Sequence, residues 1–569
     1  MKKVFLFVLV LVLVLASAIS IYSQPMREIR AVWLTTNGGL DWPKGEYDIN
    51  TQKENLCEIL DKLAAANFNT IIFQAQVKGD VLWESTMQPA YRYVTGNGSK
   101  GLSYDVSEFV IEECHKRNME CHAWIVPYRI GTISDANKYK NNSVKHPITS
   151  HPELCVEYNS AYYLDPGLPK TREYLLDVYR ELISNYNYDG VNFDYTRYPG
   201  SDFDDADSYA TYNPEGLPKD DWRRQNINTF IAEFYEMAKA INPDIKVGAA
   251  PIGTYKNVSG YGNMTAYGSV YQDACQWMQS GNHDLLIPQM YWNEKNGFSP
   301  NMSTWVTNCD GRQLVIGLAP YKMVDGTNDW ETNVITDQIE KIRAQKGTSG
   351  VCFFRTDHVI DDSQSKIADL YSELQDNYFK YPAHIVPMDY NGITTPNAPL
   401  NVTQEYVNGQ YLISWDEPSL DVENTPIRYY SVYLSDGNFV DLNDPQQVVA
   451  HIVSETEYTY DSNDAGLRFA VTAFDKNYYE SDPVISQNAG MEGEVRIDAK
   501  FYYSNDMIYI YATPMINYVE VYSTTGCRIM YIPINSQEAT ILCESLPKGV
   551  FIVRTSYIDG SNSVNKFIR

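Results

Sequence analysis

The sequence predicts an α/β protein, a (β/α)8 TIM-like barrel followed by two all-β sandwich domains. Two observations predict it. Between Arg30 and about Tyr381, eight apolar strand-like runs alternate with helix-period runs or helix-length inserts. Beyond residue 400 the helical period disappears, and short alternating runs take its place.

The eight strand candidates cover 31–36, 70–76, 120–127, 189–195, 246–252, 285–292, 313–321 and 350–356. They are apolar on both faces, as strands covered by helices must be. Helical spacing is clearest over 51–66, where Leu56, Ile59, Leu60 and Leu63 fall on one face. Similar patterns cover 104–117, 170–185, 226–240 and 337–345. A doubly wound open sheet is the rival, but eight units in this length favour closure. No glycine-rich phosphate loop follows any strand, so no nucleotide cofactor is expected.

Lys2 and Lys3 precede an apolar run from Val4 to Leu15 and the small residues Ala16, Ser17 and Ala18. That order predicts a signal peptide over 1–23 and an exported protein: periplasmic, cell-surface or extracellular. The run is too short for a membrane span, and no second one is expected. The net charge of −27 argues against nucleic acid as a partner. The nine cysteines show no zinc spacing, so neither a metal site nor a disulfide framework is expected.

The barrel is expected over 24–381 and a Pro- and Asn-rich linker over 382–399. Residues 400–488 read as a β-sandwich. Its early Trp415, "YYSVYLS" and "FAVTAFD" resemble a fibronectin type III module, with Phe469 where that fold usually has Tyr. Residues 493–569 read as a second sandwich. Its final "GVFIVRTSYIDGSNSVNKFIR" resembles the sorting domains that close many Bacteroidetes secreted proteins, which implies secretion machinery as a partner.

In a parallel barrel the chemistry sits at the C-terminal ends of the strands. The residues expected there are Trp42 after the first strand, Gln74 and Gln76 on the second, and Tyr128 and Arg129 past the third. Asp194, Arg197 and Tyr198 follow on the fourth, and Gln289, Tyr291, Trp292 and Glu294 on the sixth. Tyr321 and Arg355 come from the seventh and eighth. Amides, phenols and indoles suit a carbohydrate polymer or oligosaccharide: polar tips meet hydroxyls, and rings meet sugar faces. Glycoside hydrolysis needs two carboxyl groups. Asp194 is the first, expected to be kept ionised by Arg197 and oriented by Tyr198. Glu294 is the second, with Asp357 and Asp80 as rivals. The other readings are more structural. His122 suits a barrel-interior histidine, Asp165 a turn or helix cap, and Asp204, Asp205 and Asp207 a solvated acidic loop.

The segments "REIRAVWLTTNGGLDWP", "FNTIIFQAQVKGDVLWES", "ECHAWIVPYR", "YYLDPGLPKTREYLLDV", "YDGVNFDYTRYP", "RRQNINTFI" and "IPQMYW" occur in this order. Together they resemble the bacterial glycosyl hydrolase-like family 10 proteins, which are distinct from family 10 xylanases. The resemblance implies a TIM-like barrel related to retaining α-glycosidases. It also implies hydrolysis of O-glycosidic bonds in an extracytoplasmic polysaccharide or peptidoglycan glycan strand. The family's strand-4 acid falls on Asp194, which would be the nucleophile with Glu294 as the acid. Members often carry a second Asp where this chain has Tyr195. The other expectations are a non-catalytic carbohydrate-binding protein on a barrel scaffold, or an adhesive protein whose β-modules do the work.

Overall fold

A computed structural model describes residues 24–569 except 310, 325, 327–328, 389–394, 420–425, 436, 438, 489–498, 505, 524–527 and 559–561. The expected signal peptide and part of the expected linker therefore lie outside the described residues. Eight parallel strands close a barrel: β1 (Ile29–Leu34), β2 (Thr70–Gln74), β3 (Glu120–Ile125), β4 (Gly190–Phe193), β5 (Lys246–Ala249), β6 (Leu285–Leu286), β7 (Gln313–Leu318) and β8 (Gly350–Phe354). Each pairs with its neighbours in sequence, and β1 pairs with β8 from Ile29↔Gly350 to Trp33↔Phe354. A Cβ on Gly350 would lie 2.0 Å from the Ile29 carbonyl oxygen, so closure at this seam needs glycine.

Side chains alternate across the barrel wall. Val32, Ile71, Cys121, Val191 and Ile316 face the helices. Ala31, Trp33, Ile72, Trp124, Leu285, Val315 and Cys352 fill the interior. The wrapping helices include Ile49–Ala65, Val106–His115, Pro169–Asn185, Lys219–Ile241 and Thr332–Ala344. Asp48 and Asp105 cap the first two by accepting from backbone N–H groups at 3.0 Å.

The N-terminal end of the interior is charged but paired. Lys246 Nζ donates to both Glu120 oxygens at 2.8 and 2.9 Å, and His122 Nε2 lies 3.1 Å from Glu120 Oε2. Beside it, buried Glu28 accepts from Arg30 and Arg343. The chain from 383 to 386, expected as linker, still belongs to this end. Ala383 and Ile385 are buried, and Gln313 donates to the Val386 carbonyl at 2.6 Å.

Two features go beyond the sequence expectation. A three-stranded antiparallel sheet (Arg129–Gly131, Cys155–Tyr158, Ala161–Leu164) rises after β3. Its hairpin turns on Asn159 and Ser160, at φ 50° and 63°, the pair of positive angles that a two-residue turn requires. A disulfide joins Cys275 to Cys309, where no framework was expected. It ties helix Ala274–Gln279 to the residue that ends helix Phe298–Asn308.

Residues 24–395 fall in one compact unit and most of 396–569 in another. The second unit is all-β. Two four-stranded sheets share a core that includes Tyr411, Ile413, Trp415, Val432, Phe469 and Val471. Strands from 499 onward form one five-stranded sheet. Its long strand Met507–Ser523 shifts register near 512–516, and Ile508, Ile510, Val519, Val521 and Phe567 share one core. No helix among the described residues is long and apolar enough to cross a membrane.

The Cys275–Cys309 bond closes a loop with a sequence separation of 34, for which chain entropy predicts about 3–4 kcal/mol. Cys309→Ser is therefore expected to lower the urea midpoint of barrel unfolding, and reductant should shift the wild type to the same midpoint. Equal midpoints for wild type and variant without reductant would contradict this.

Candidate functional site

The inward parity of the strands sets what stands at the C-terminal mouth. Positions 33 and 35, 74, 124, 194, 289 and 354 continue the interior rows, and they line a cavity of about 230 Å³. Trp33, Trp124, Tyr291 and Phe354 give it aromatic walls. The Trp33 and Trp124 rings meet Phe354 edge-on, and Tyr291 lies tilted against Phe354 at 5.7 Å.

Asp194 is the one carboxylate among the residues described as lining this cavity. It is 6% exposed. Gln289 Nε2 donates to Asp194 Oδ1 at 3.1 Å and to the Ala250 carbonyl at 3.1 Å, so β5 and β6 jointly aim the amide. The Tyr195 N–H donates to the same Oδ1 at 2.8 Å. Burial holds the Asp194 carboxyl above the usual carboxylate range, against the pull of Arg197, the Tyr195 N–H, Gln289 and Trp124. Arg197 pulls it down, as expected, but burial outweighs that pull. No ion pair joins the two, and the Arg197 guanidinium instead stacks 4.4 Å from the Tyr195 ring centre.

Gln74 is held as a donor. Its Oε1 accepts from Thr35 Oγ1 at 2.6 Å, Asn37 N at 2.9 Å and Thr36 N at 3.1 Å, which leaves its NH₂ to meet a ligand. Arg355 is clamped between Asp41 and Asp357, the latter at 3.0 Å. Burial pushes Asp41 up to about 6 despite Arg355.

Of the residues expected at the site, Gln74, Arg129, Asp194, Gln289, Tyr291 and Arg355 do line the cavity. The rest do not. Trp42 is 1% exposed, and its indole donates to the Gln52 carbonyl at 2.8 Å. Gln76 is consumed by Gln88, Tyr179 and the Val126 N–H. Tyr128 packs edge-on against Phe230 inside the helical layer. The Tyr198 hydroxyl accepts from Asn226 at 3.2 Å and does not orient Asp194. Trp292 lies over Gly253, and Tyr321 backs Tyr291 from outside the cavity.

Glu294 is not brought to Asp194. β6 ends at Leu286, and Glu294 opens a short helical turn beyond it, bonded to Lys341 at 3.0 Å and Ser299 at 2.9 Å. It borders a separate depression with Asn293 and Asp337. Of its rivals, Asp80 is buried and bound to the Tyr139 hydroxyl, and Asp357 faces Lys44 as well as Arg355. Asp205, expected in solvent, is buried and takes both nitrogens of a bidentate Arg223. The Asp165 carboxyl closes a turn on the Gly167 N–H.

Sequence reasoning passed over Trp33, Asn37, Phe354 and Tyr195 as lining residues. The alternation of β1 and β8 carries the signal for Trp33 and Phe354.

The sequence pattern of the family described as "Glycosyl hydrolase-like 10" matches residues 28–331. The chain belongs to this family. It is 31% identical over 443 residues to the glycosyl hydrolase YngK of Bacillus subtilis, covering 73% of this chain and 84% of that one. To the glycosyl hydrolase DigH of Escherichia coli K12 it is 31% identical over 372 residues, covering 59% and 84%. A solved structure with a similar fold is the PgaB (BpsB) glycoside hydrolase domain from Bordetella bronchiseptica. Its TM-score is 0.46 at 14% identity, covering 62% of this chain and 98% of that one. Within the family fold, Asp194 occupies the end of the fourth barrel strand.

A folded-state pKa raised above the unfolded value means the folded chain binds more protons, so stability falls as pH rises through that window. Asp194→Asn removes the buried charge. It is expected to melt above the wild type at about pH 7 and to lose that advantage near about pH 3. Scanning calorimetry at the two pH values checks the sign.

Proposed function

We propose that this chain is a glycoside hydrolase that cleaves O-glycosidic bonds in an extracytoplasmic polysaccharide or peptidoglycan glycan strand. Membership in a glycosyl hydrolase-like family supports the class. The observation that carries it is the Asp194 carboxyl: buried, bonded to Gln289 and raised above its usual range by burial, at the floor of an aromatic cavity. This carboxyl is the acidic group that the cavity offers to a glycosidic bond, either as the nucleophile expected of the family's strand-4 acid or as the proton donor. The Gln289 amide aims it. The Gln74 NH₂ and the aromatic walls hold the sugar.

The fibronectin type III reading of 400–488 and the sorting-domain reading of the C-terminus belong to the same proposal. With a signal peptide they would take the protein out of the cytoplasm. A second reading, a non-catalytic glycan-binding protein, is favoured by one observation: no second carboxylate lines the cavity among the described residues.

Digestion of a polysaccharide and peptidoglycan panel, followed by reducing-end release, separates the two. Asp194→Asn is expected to lose about 10²–10⁴-fold in rate. Glu294→Gln should stay within about twofold, as a solvent-facing ion pair outside the cavity contributes little. Full activity in Asp194→Asn would end the catalytic assignment. Glycan binding without any bond cleavage by the wild type would favour the second reading.

A further inference from the structure

The cavity is basic in an acidic protein. The chain carries 72 acidic and 45 basic residues, yet Lys78, Arg129 and Arg355 line the cavity with Asp194 alone against them. Arg355 is compensated by Asp41 and Asp357. Lys78 and Arg129 are not: neither forms an ion pair with another described residue.

Local structure brings both side chains to the same cavity. Lys78 sits in a tight turn whose N–H donates to buried Asp80, with Gly79 at φ 78°. Its carbonyl is gripped by His146 Nε2 at 2.6 Å. Arg129 opens the short strand Arg129–Gly131, and a Cβ on Gly131 would lie 3.2 Å from Lys78 Cβ. Gly131, at φ 92°, therefore lets that strand run directly against Lys78. Asp135 feels the Lys78 charge, but its Oδ2 is committed to the Thr132 N–H and hydroxyl in a helix cap. The Arg129 guanidinium lies 5.8 Å from the Tyr195 ring centre, next to the acid.

Two partly exposed cations from different elements, neither in an ion pair with another described residue, suit an anion with two oxygens presented in different directions. We propose that Lys78 and Arg129 form a subsite for the carboxylate of an acidic sugar, so that the chain takes a carboxylated glycan in preference to a neutral one. The proposal rests on the reading of the cavity as a glycan site and adds the chemical class of the sugar. Two sources carry that carboxylate, a hexuronate or a lactyl ether on an amino sugar.

The test uses the full chain and four probes. These are a glucuronan oligomer and a muramic-acid glycan strand stripped of its peptides, each beside its own carboxyl-reduced form. Binding is read by calorimetry and cleavage separately by reducing ends. The wild type is expected to bind at least one acidic form about tenfold or more tightly than its reduced form, as loss of a charge-assisted bond implies. The arm that shows the preference identifies the source. Lys78→Met/Arg129→Met should abolish the preference, and Lys78→Arg should retain it.

Equal binding of acidic and reduced forms by the wild type overturns the subsite, whether or not either is cleaved. A preference that survives in the folded double variant also overturns it. Preference without cleavage sinks the hydrolase reading and leaves the subsite standing. Cleavage without preference does the reverse.

Discussion

The parallel register that closes β1 against β8 is the constraint on which the rest of the barrel depends. Once Ile29 is set opposite Gly350, the two-residue period of every strand decides which side chains enter the interior. Glu120, His122 and Trp124 fall on one inward row, and Asn192 and Asp194 on the next. A slip by one residue would turn Asp194 into the helical layer and put Phe193 in the mouth. The acid is therefore positioned by the closure of the sheet first and by its hydrogen bonds second.

The two ends of the interior solve the burial of charge differently. At the N-terminal end, Glu120 meets Lys246 and Glu28 meets Arg30 and Arg343, so each buried carboxylate has a cation in contact. At the C-terminal end, no ion pair reaches Asp194, which accepts from the Gln289 amide and the Tyr195 N–H. An ion pair holds a carboxylate in its charged form, whereas burial without one raises the Asp194 carboxyl above its usual range. That difference separates the two ends of the barrel interior.

Much of this was legible in the sequence, because burial on both faces and periodicity are local signals. All eight strands begin within a few residues of where apolar runs placed them, but β6 ends at Leu286 rather than 292, and the helix expected from 226 begins at Lys219. Asp194 was legible because it ends such a run. Gln74 and Gln289 were legible for the same reason. Gln76 failed because the chain turns after Gln74, which carries it behind the mouth and into a buried amide–phenol network. Glu294 failed because β6 is only two residues long, and distance along the chain past it no longer measures height above the barrel. Tyr198 and Trp42 failed because a large aromatic near a strand end serves core and ligand equally well in composition. The Asn159–Ser160 hairpin had its turn signal in view, but its strands are too short to show a period. The disulfide pairs residues whose spacing shows no pattern, so only the packing of the loops that follow β5 and β6 reveals it.

That bond also gives the barrel a sense of place. Where thiols are kept reduced, the loops joined at Cys275 and Cys309 rely on packing alone, and the chain stays easier to pull apart. Once oxidation is allowed, a covalent bond holds the same two segments together in addition to packing. The same sequence is therefore easier to pull apart in a reducing medium than in an oxidising one.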